Sequence, residues 1–310
     1  MTPTVRKKQA NAASAARSRP ILSSPQPLNI TERGASTADI VGIRYDPGRS
    51  NGTLISRIPR FPQRRREESP VMIGVISDIH SNIHALEAVL DKLKQVDQII
   101  CLGDVVGYGA HPNECVERVK GLKIPCVLGN HDAACIGLLS LGWFNPHAAN
   151  AVRWAMEEEL TEESLRFLRG LPTSRRIEPF YLVHGSPREP TTEYLTDVSQ
   201  ARASFDRCKE RVVFVGHTHV PLVFVERGET EVVVPSEGNR VSYEGARLIF
   251  NPGAVGQPRD GDPRAAYSIV DTSSNSIAQY RVEYNVQEAR ADIIEAGLPR
   301  ILGDRLTLGC

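Results

Sequence analysis

Five short motifs of the chain carry side chains that bind metal ions or transfer protons. They are Asp78-Ile79-His80, Gly103-Asp104, Gly129-Asn130-His131-Asp132, His184-Gly185 and Gly216-His217-Thr218-His219. Each motif directly follows a short apolar run, so each is expected where a buried strand ends. Imidazole and hard-oxygen ligands without thiolate suit Mn, Fe, Zn, Co or Ni better than Ca. The pattern therefore predicts a metal centre at one edge of a sheet.

The elements that must position these motifs predict an α/β fold. Apolar runs at 71–77, 98–102 and 124–128 alternate with helical periodicity, as over 82–93, which predicts a β-α-β-α-β series and a mainly parallel first sheet. After Pro172 the apolar runs become short and closely spaced, which indicates a second sheet with antiparallel or mixed pairing. We therefore expect two packed mixed β-sheets flanked by helices, a four-layer α/β/β/α sandwich, in a single catalytic domain.

The later elements can be placed approximately from the same periodicities. Short strands are predicted at about 174–178, 180–184, 212–216, 222–226, 231–234, 247–250, 266–271 and 276–283, and helices near 146–158, 161–170, 197–207 and 286–296.

Charge is distributed unevenly along the 310 residues. Residues 1–69 hold 13 Lys/Arg and 5 Asp/Glu, whereas the rest holds 24 and 32. We interpret 1–69 as a mostly disordered basic extension, whose first 31 residues also suit an organellar transit peptide. The alternative is that 1–69 lies before the native start, since Met72 opens the first strand. The catalytic domain is predicted over 70–297 and a C-terminal tail over 298–310. The acidic balance of the remainder gives no reason to expect duplex nucleic acid as the main partner.

Cysteine usage and hydropathy bear on the compartment. The six cysteines include no C-x-x-C pair, and Cys101 and Cys126 lie inside apolar runs, where reduced cysteine acts as a small core residue. This predicts a reducing, cytoplasmic setting. The chain has no run of 18 apolar residues, so no membrane span is expected.

The motifs, in their order, resemble those of the calcineurin-like metallophosphoesterases. The family blocks D-x-H, G-D, G-N-H-D/E, H and G-H-x-H are all intact across residues 71–219. The stretches 77–82, 107–109 and 251–260 resemble the small bacterial and archaeal phosphodiesterase branch, and the resemblance covers about 71–283.

The resemblance implies two divalent ions, whose identity stays open among Mn, Fe, Zn, Co and Ni. It assigns one ion to Asp78, His80, Asp104 and His219, and the other to Asp104, Asn130, His184 and His217. Two close dications repel each other without a shared anion. Asp104 is therefore expected to bridge them, with its two oxygens facing different ions.

The resemblance also implies hydrolysis of a phosphoester, a small molecule or a nucleotide, most simply by a phosphodiesterase. A metal-bridging hydroxide would attack phosphorus, and His131 would protonate the leaving oxygen as general acid. Asp132 would orient the His131 imidazole or take part in proton transfer, or would only cap a turn. The alternatives are a monoesterase, either a Ser/Thr-type or a dinucleoside-polyphosphate phosphatase, and a non-catalytic protein-binding scaffold of the same fold.

Several further polar and aromatic residues near the motifs could have structural roles rather than roles in the reaction. His84 is expected at the surface or as a helix cap, and Trp143 in packing contacts. Arg188 and Arg259 would either reach a substrate phosphate or form surface ion pairs. Tyr108 and His111 follow Asp104 on a loop and are candidates to line the pocket.

Overall fold

A computed structural model describes residues 71–310, so the predicted extension 1–69 lies outside the described residues. The described helices are α1 (Ile83–Lys92), α2 (Pro112–Leu122), α3 (Asn130–Cys135), α4 (Pro146–Trp154), α5 (Glu162–Arg169), α6 (Val198–Phe205), α7 (Val286–Glu295) and α8 (Arg300–Leu306). The described strands are β1 (Met72–Ile76), β2 (Gln98–Cys101), β3 (Ser174–Ile177), β4 (Phe180–Val183), β5 (Val212–Phe214), β6 (Leu222–Arg227), β7 (Glu229–Val233), β8 (Arg240–Ser242), β9 (Arg247–Asn251), β10 (Ala265–Asp271) and β11 (Ser276–Val282). None of these helices is long and apolar enough to cross a membrane.

The strands form two mixed sheets. The first has the order β2-β1-β10-β11-β8, in which only β1 and β2 are parallel. The second has the order β3-β4-β5-β9-β6-β7, with β4, β5 and β9 parallel. Neighbouring parallel strands end at the same edge of a sheet. The loops that follow β1 and β2 therefore lie side by side, as do the loops that follow β4 and β5.

The two sheets pack face to face and helices cover their outer faces. Val75 and Ile100 of the first sheet share a buried cluster with Phe214 of the second. Leu86 of α1 belongs to a cluster on the outer face of the first sheet, and Phe205 of α6 to one on the second. Burying these faces removes apolar surface from water, which is the main term that holds layers together. The predicted four-layer α/β/β/α arrangement is confirmed.

The sheets differ from the prediction in which strands they contain. The run 124–128 forms only a single bridge, Cys126 to Cys101, because Pro125 has no N–H to donate and Leu128 N–H bonds instead to Pro172 O. The antiparallel strands β10 and β11 join β1 in the first sheet rather than extending the second. The expectation of a mainly parallel first sheet is therefore wrong.

The C-terminal residues form a helical hairpin. The helix predicted near 286–296 is present as α7, and residues 298–310, for which the sequence predicted a tail, contain α8. Leu302 and Leu306, one turn apart on α8, are buried with Ile293 of α7.

Candidate metal centre

The seven predicted ligands lie together where β1, β2, β4 and β5 end and where α3 begins. Each is at most 7 % exposed; they are Asp78, His80, Asp104, Asn130, His184, His217 and His219. Burying so many polar groups is costly unless they have partners. The cluster is therefore explained better by an ion than by packing.

One group contains Asp78, His80, Asp104 and His219. His80 Nε2 lies 3.0 Å from His219 Nε2, and His219 Nε2 lies 3.3 Å from Asp78 Oδ1. The four side chains each offer a ligand atom, and these atoms lie within 4.8 Å of one another. Two imidazole nitrogens and two carboxylates that converge in this way could hold a divalent cation.

A second group contains Asp104, His184 and His217, whose ligand atoms are equally close. His184 Nε2 lies 3.3 Å from Asp104 Oδ2 and 3.1 Å from the amide oxygen of Asn130. Asn130 therefore adjoins this group, as the resemblance implied. The two groups share Asp104.

Asp104 faces both groups through one oxygen rather than two. Its Oδ2 lies 3.5 Å from His80 Nε2 and 3.3 Å from His184 Nε2. Its Oδ1 instead accepts a 2.8 Å hydrogen bond from the backbone N–H of His131 at the start of α3. The expectation that the two oxygens face different ions is corrected, because the helix N-terminus occupies Oδ1. Among the described residues Oδ2 is buried without a hydrogen-bond partner, as an oxygen reserved for a cation would be.

Backbone carbonyls orient the histidines. A carbonyl can only accept, so a ring nitrogen beside one carries a proton, and the other ring nitrogen is the one directed at the centre. His217 differs from the other three because its Nε2 faces Thr192 O at 3.2 Å, which leaves Nδ1 for the centre. The other three pairs are His80 Nδ1 with Val106 O at 3.2 Å, His184 Nδ1 with Leu102 O at 2.9 Å, and His219 Nδ1 with Gln257 O at 2.6 Å.

The backbone at the site is strained. Five of the nine non-glycine residues with positive φ in the described part of the chain are predicted ligands: Asp78, His80, Asp104, His217 and His219, at 50–65°. Such conformations cost free energy and persist where neighbouring structure enforces them, most often at functional sites. Here Asp78 N–H donates to Gly103 O and His80 N–H to Asp104 O, so the two strand-end loops hold each other.

Close packing explains the glycine of the third motif. A Cβ on Gly129 would lie 2.1 Å from Asp104 Oδ1 and 2.3 Å from Asp104 N. Any side chain here would displace the shared carboxylate, so the motif requires glycine.

Burial sets the charge of the cluster. It lowers the pKa of His217 to about 3 and the pKa values of His80 and His219 well below their usual range, so these imidazoles are neutral at pH 7. Burial also opposes charge on Asp104 and His184, but their mutual attraction prevails. It holds the pKa of Asp104 far below normal and raises that of His184 to about 10. A proton on His184 thus balances Asp104 where a metal ion otherwise would.

Metal affinity should therefore rise with pH. Below pH 10 His184 carries a proton that must leave before its Nε2 can bind a cation, so we expect the Kd for Mn²⁺ to fall about tenfold per unit between pH 7 and 9. Calorimetric titration in two buffers of different ionisation enthalpy should show one proton released by the protein. Binding without proton release would contradict this assignment.

His131 lies beside both groups without joining either. Its ring centroid is 4.7 Å from that of His80 and 4.5 Å from that of Tyr108. Its Nδ1 is buried and has no hydrogen-bond partner among residues 71–310. Burial lowers its pKa to about 4. His131 also lines a cleft beside the centre, so its imidazole is placed to exchange a proton with a bound molecule.

Asp132 does not contact the His131 imidazole. Its Oδ1 accepts from Val106 N–H and its Oδ2 from Gly129 N–H, each at 3.1 Å. Asp132 is the third residue of α3, where a carboxylate reaches back to cap the helix N-terminus. The structure thus gives Asp132 the capping role, and the expected orienting contact with His131 is absent.

A small aromatic cleft of about 90 Å³ opens beside His131. Its lining includes Tyr108 and Trp143, and Tyr194 stacks on His217 with ring centroids 3.8 Å apart. Trp143 is 71 % exposed, so its predicted packing role is wrong. Tyr194 lies in an irregular segment outside the five motifs, and the fold brings it against His217.

Arg259 lies beside the cleft, whereas Arg188 forms an ion pair at the surface. Arg259 Nη2 donates to Tyr108 Oη at 3.2 Å and to Gln257 Oε1 at 3.1 Å, beside the cleft residue Tyr108. Its buried Nε has no hydrogen-bond partner among the described residues. Arg188 instead pairs with Glu193, with Nε 3.0 Å from Oε2. Arg188 therefore forms the surface ion pair that was one of its two predicted roles.

Residues 71–275 match the calcineurin-like phosphoesterase superfamily domain. The chain belongs to this superfamily, and it is accordingly a hydrolase of phosphoesters. It is 40 % identical to an uncharacterized protein of Methanocaldococcus jannaschii over 250 residues, 77 % of this chain and 98 % of that one.

Two further relatives support the predicted branch. The crystal structure of a metallophosphoesterase from Sphaerobacter thermophilus is 43 % identical, covers 78 % of this chain and 100 % of its own, and gives a TM-score of 0.71. Phosphodiesterase YfcE of Escherichia coli is 27 % identical over 206 residues, 65 % of this chain and 88 % of its own. The sequence-based resemblance is confirmed.

Proposed function

We propose that the protein is a phosphodiesterase with a binuclear metal centre, acting on a small molecule or nucleotide. The observation that carries the proposal is the sharing of Asp104 Oδ2 by two groups of buried ligands, with His131 and an open cleft beside them. A single ion would occupy only one of the two ligand groups.

The donor set fits divalent transition ions. Asp78, His80, Asp104 and His219 would hold one ion, and Asp104, Asn130, His184 and His217 the other. The absence of thiolate and the mixture of imidazole with hard oxygen favour Mn, Fe, Zn, Co or Ni. When bound, such ions would activate water and neutralise charge on phosphoryl oxygens.

His131 would donate the proton that the leaving oxygen requires. Burial favours its neutral form in the free protein. A phosphate anion in the cleft would raise the pKa of His131, so substrate binding would favour the protonated imidazole that can act as general acid. Asp132 would act only by fixing the first turn of α3, and hence the place of His131.

Arg259 would bind a non-bridging oxygen of the substrate. Its guanidinium has an unused, buried Nε and is held by Tyr108 and Gln257 at the edge of the site. A guanidinium matches phosphate oxygens with two parallel donors. Trp143 and Tyr194 would provide flat apolar surfaces for the substituent carried by the phosphate.

The diester preference rests on similarity to a protein named as a phosphodiesterase. Turnover of bis(p-nitrophenyl) phosphate and of p-nitrophenyl phosphate by Mn²⁺-loaded protein tests it. We expect the higher kcat/KM for the diester. Preference for the monoester would favour the monoesterase alternative, and no hydrolysis of either with both ions bound would favour the scaffold.

A further inference from the structure

A second cluster of metal-binding side chains lies outside the centre described above. His84 on α1, His111 at the N-cap of α2 and Asp292 on α7 meet although they are far apart in sequence. Their side chains are 21 %, 29 % and 24 % exposed. An ion from solvent could therefore reach them, in contrast to the closed packing around Asp104.

Both histidines direct Nε2 at the same carboxylate oxygen. His84 Nε2 lies 2.6 Å and His111 Nε2 2.8 Å from Asp292 Oδ2, and the rings stand at 80° to each other. All three ligand atoms lie within 4.8 Å of one another. Zinc bonds of about 2.0–2.2 Å separate neighbouring ligands by roughly 3.3 Å in a tetrahedral site, so shifts below about 1 Å would admit an ion.

Further carboxylates stand behind the histidines. Glu288 Oε2 lies 3.8 Å from His84 Nδ1, and Glu114 Oε1 lies 3.7 Å from His111 Nδ1. At these distances the carboxylates form no hydrogen bond with the rings, but their negative charge would favour a cation bound at Nε2.

The charge of the cluster is unbalanced. Three carboxylates surround two imidazoles, and within residues 71–310 no lysine or arginine forms an ion pair with Asp292, Glu288 or Glu114. These carboxylates give the cluster a negative charge that would attract a divalent cation.

We propose that His84, His111 and Asp292 form a peripheral zinc site that joins the C-terminal helical hairpin to the catalytic core. Three protein ligands with an open position is a common arrangement for zinc. The matched family region ends at residue 275, so the ligand from α7 comes from outside it. The site is thus a feature of this chain beyond its catalytic centre.

The position of the cluster suggests what the ion would do. A small cavity between His80 and the cluster is closed by Ala289 and Ile293 of α7 and Leu302 of α8. Zinc would hold α7 against α1 and against the loop that carries Tyr108. It would therefore stabilise one wall of the catalytic region without entering the reaction.

The test compares zinc content in the full-length protein. Wild type, the double variant His84→Ala/His111→Ala and the single variant Asp292→Asn are dialysed against micromolar Zn²⁺ and measured by elemental analysis. His147→Ala is the matched control, because His147 is exposed and lies outside both clusters. Far-UV circular dichroism checks that each variant is folded.

We expect both cluster variants to lose one zinc per chain relative to wild type and to the His147→Ala control. Added Zn²⁺ should also raise the Tm of wild type by more than that of the cluster variants. Equal zinc content in folded wild type and double variant would overturn the proposal and leave a hydrogen-bonded cluster. Because every protein compared retains the Asp104 centre, the result does not depend on the proposed phosphodiesterase activity.

Discussion

Replacing Asp104 with asparagine should remove both metal binding and hydrolysis. The amide keeps the shape of the side chain but removes the negative charge that Oδ2 presents to both ligand groups. Loss of one partner from a buried charged cluster costs about 3–5 kcal/mol, or roughly 10²–10⁴-fold in affinity. We expect Mn²⁺ affinity to fall by this factor, and turnover to fall with occupancy.

The control for this substitution is Asp91→Asn. Asp91 lies on the surface, where it pairs with Lys94, and the same chemical change there should leave Mn²⁺ binding unaltered. Elemental analysis after dialysis gives the occupancy of each protein. If Asp104→Asn retains two Mn²⁺ per chain with unchanged affinity, the shared carboxylate is not required to hold them.

Replacing His131 with alanine should separate metal binding from proton transfer. His131 contributes only its backbone N–H to Asp104, so the variant should retain the wild-type metal content. Loss of a general acid typically costs 10²–10⁴-fold in rate. We expect about this loss in kcat for a diester with an alkyl leaving group, and a much smaller loss for one with a nitrophenyl leaving group, which needs no proton.

The dependence on the leaving group distinguishes this role from a structural one. Damage to the site would slow both substrates equally, as would loss of a contact with phosphate. His147→Ala, which removes an exposed imidazole, should match wild type on both. Equal kcat losses on the two substrates would exclude His131 as the general acid.

Much of the architecture and the site could be predicted because they depend on local patterns. Each strand that carries a motif is a short apolar run, and helical spacing such as that of Leu86 and Val89 marks the helices between them. Parallel strands end at one edge, so motifs apart in sequence, such as those of Asp78 and Asp104, were expected to meet. The resemblance to a known family then supplied the pairing of ligands, which spacing alone leaves open.

What could not be predicted depends on contacts between distant segments. β10 pairs with β1, and β11 pairs with β10, so both strands belong to the first sheet. Nothing in the sequences of these strands indicates which strand they pair with. The helix N-terminus that occupies Asp104 Oδ1 could not be foreseen, because no helical spacing marks the six residues of α3. Likewise, the motif left three roles open for Asp132, and the contacts that favour capping appear only in the folded chain.

The cleft and the second histidine cluster were missed for the same reason. Tyr194 is stacked on His217 by a segment with no regular pattern, and Trp143 looked like a core residue because most tryptophans are largely buried. His84 was taken for a surface residue because its partner Asp292 lies 208 positions away.

Anomalous diffraction from crystals of the Mn²⁺-loaded protein, collected at the manganese absorption edge, tests the central claim most directly. We expect two anomalous peaks beside Asp104 Oδ2, one among Asp78, His80 and His219 and the other among Asn130, His184 and His217. A single peak there, or two peaks of which only one contacts Asp104, would contradict a binuclear centre that shares this carboxylate.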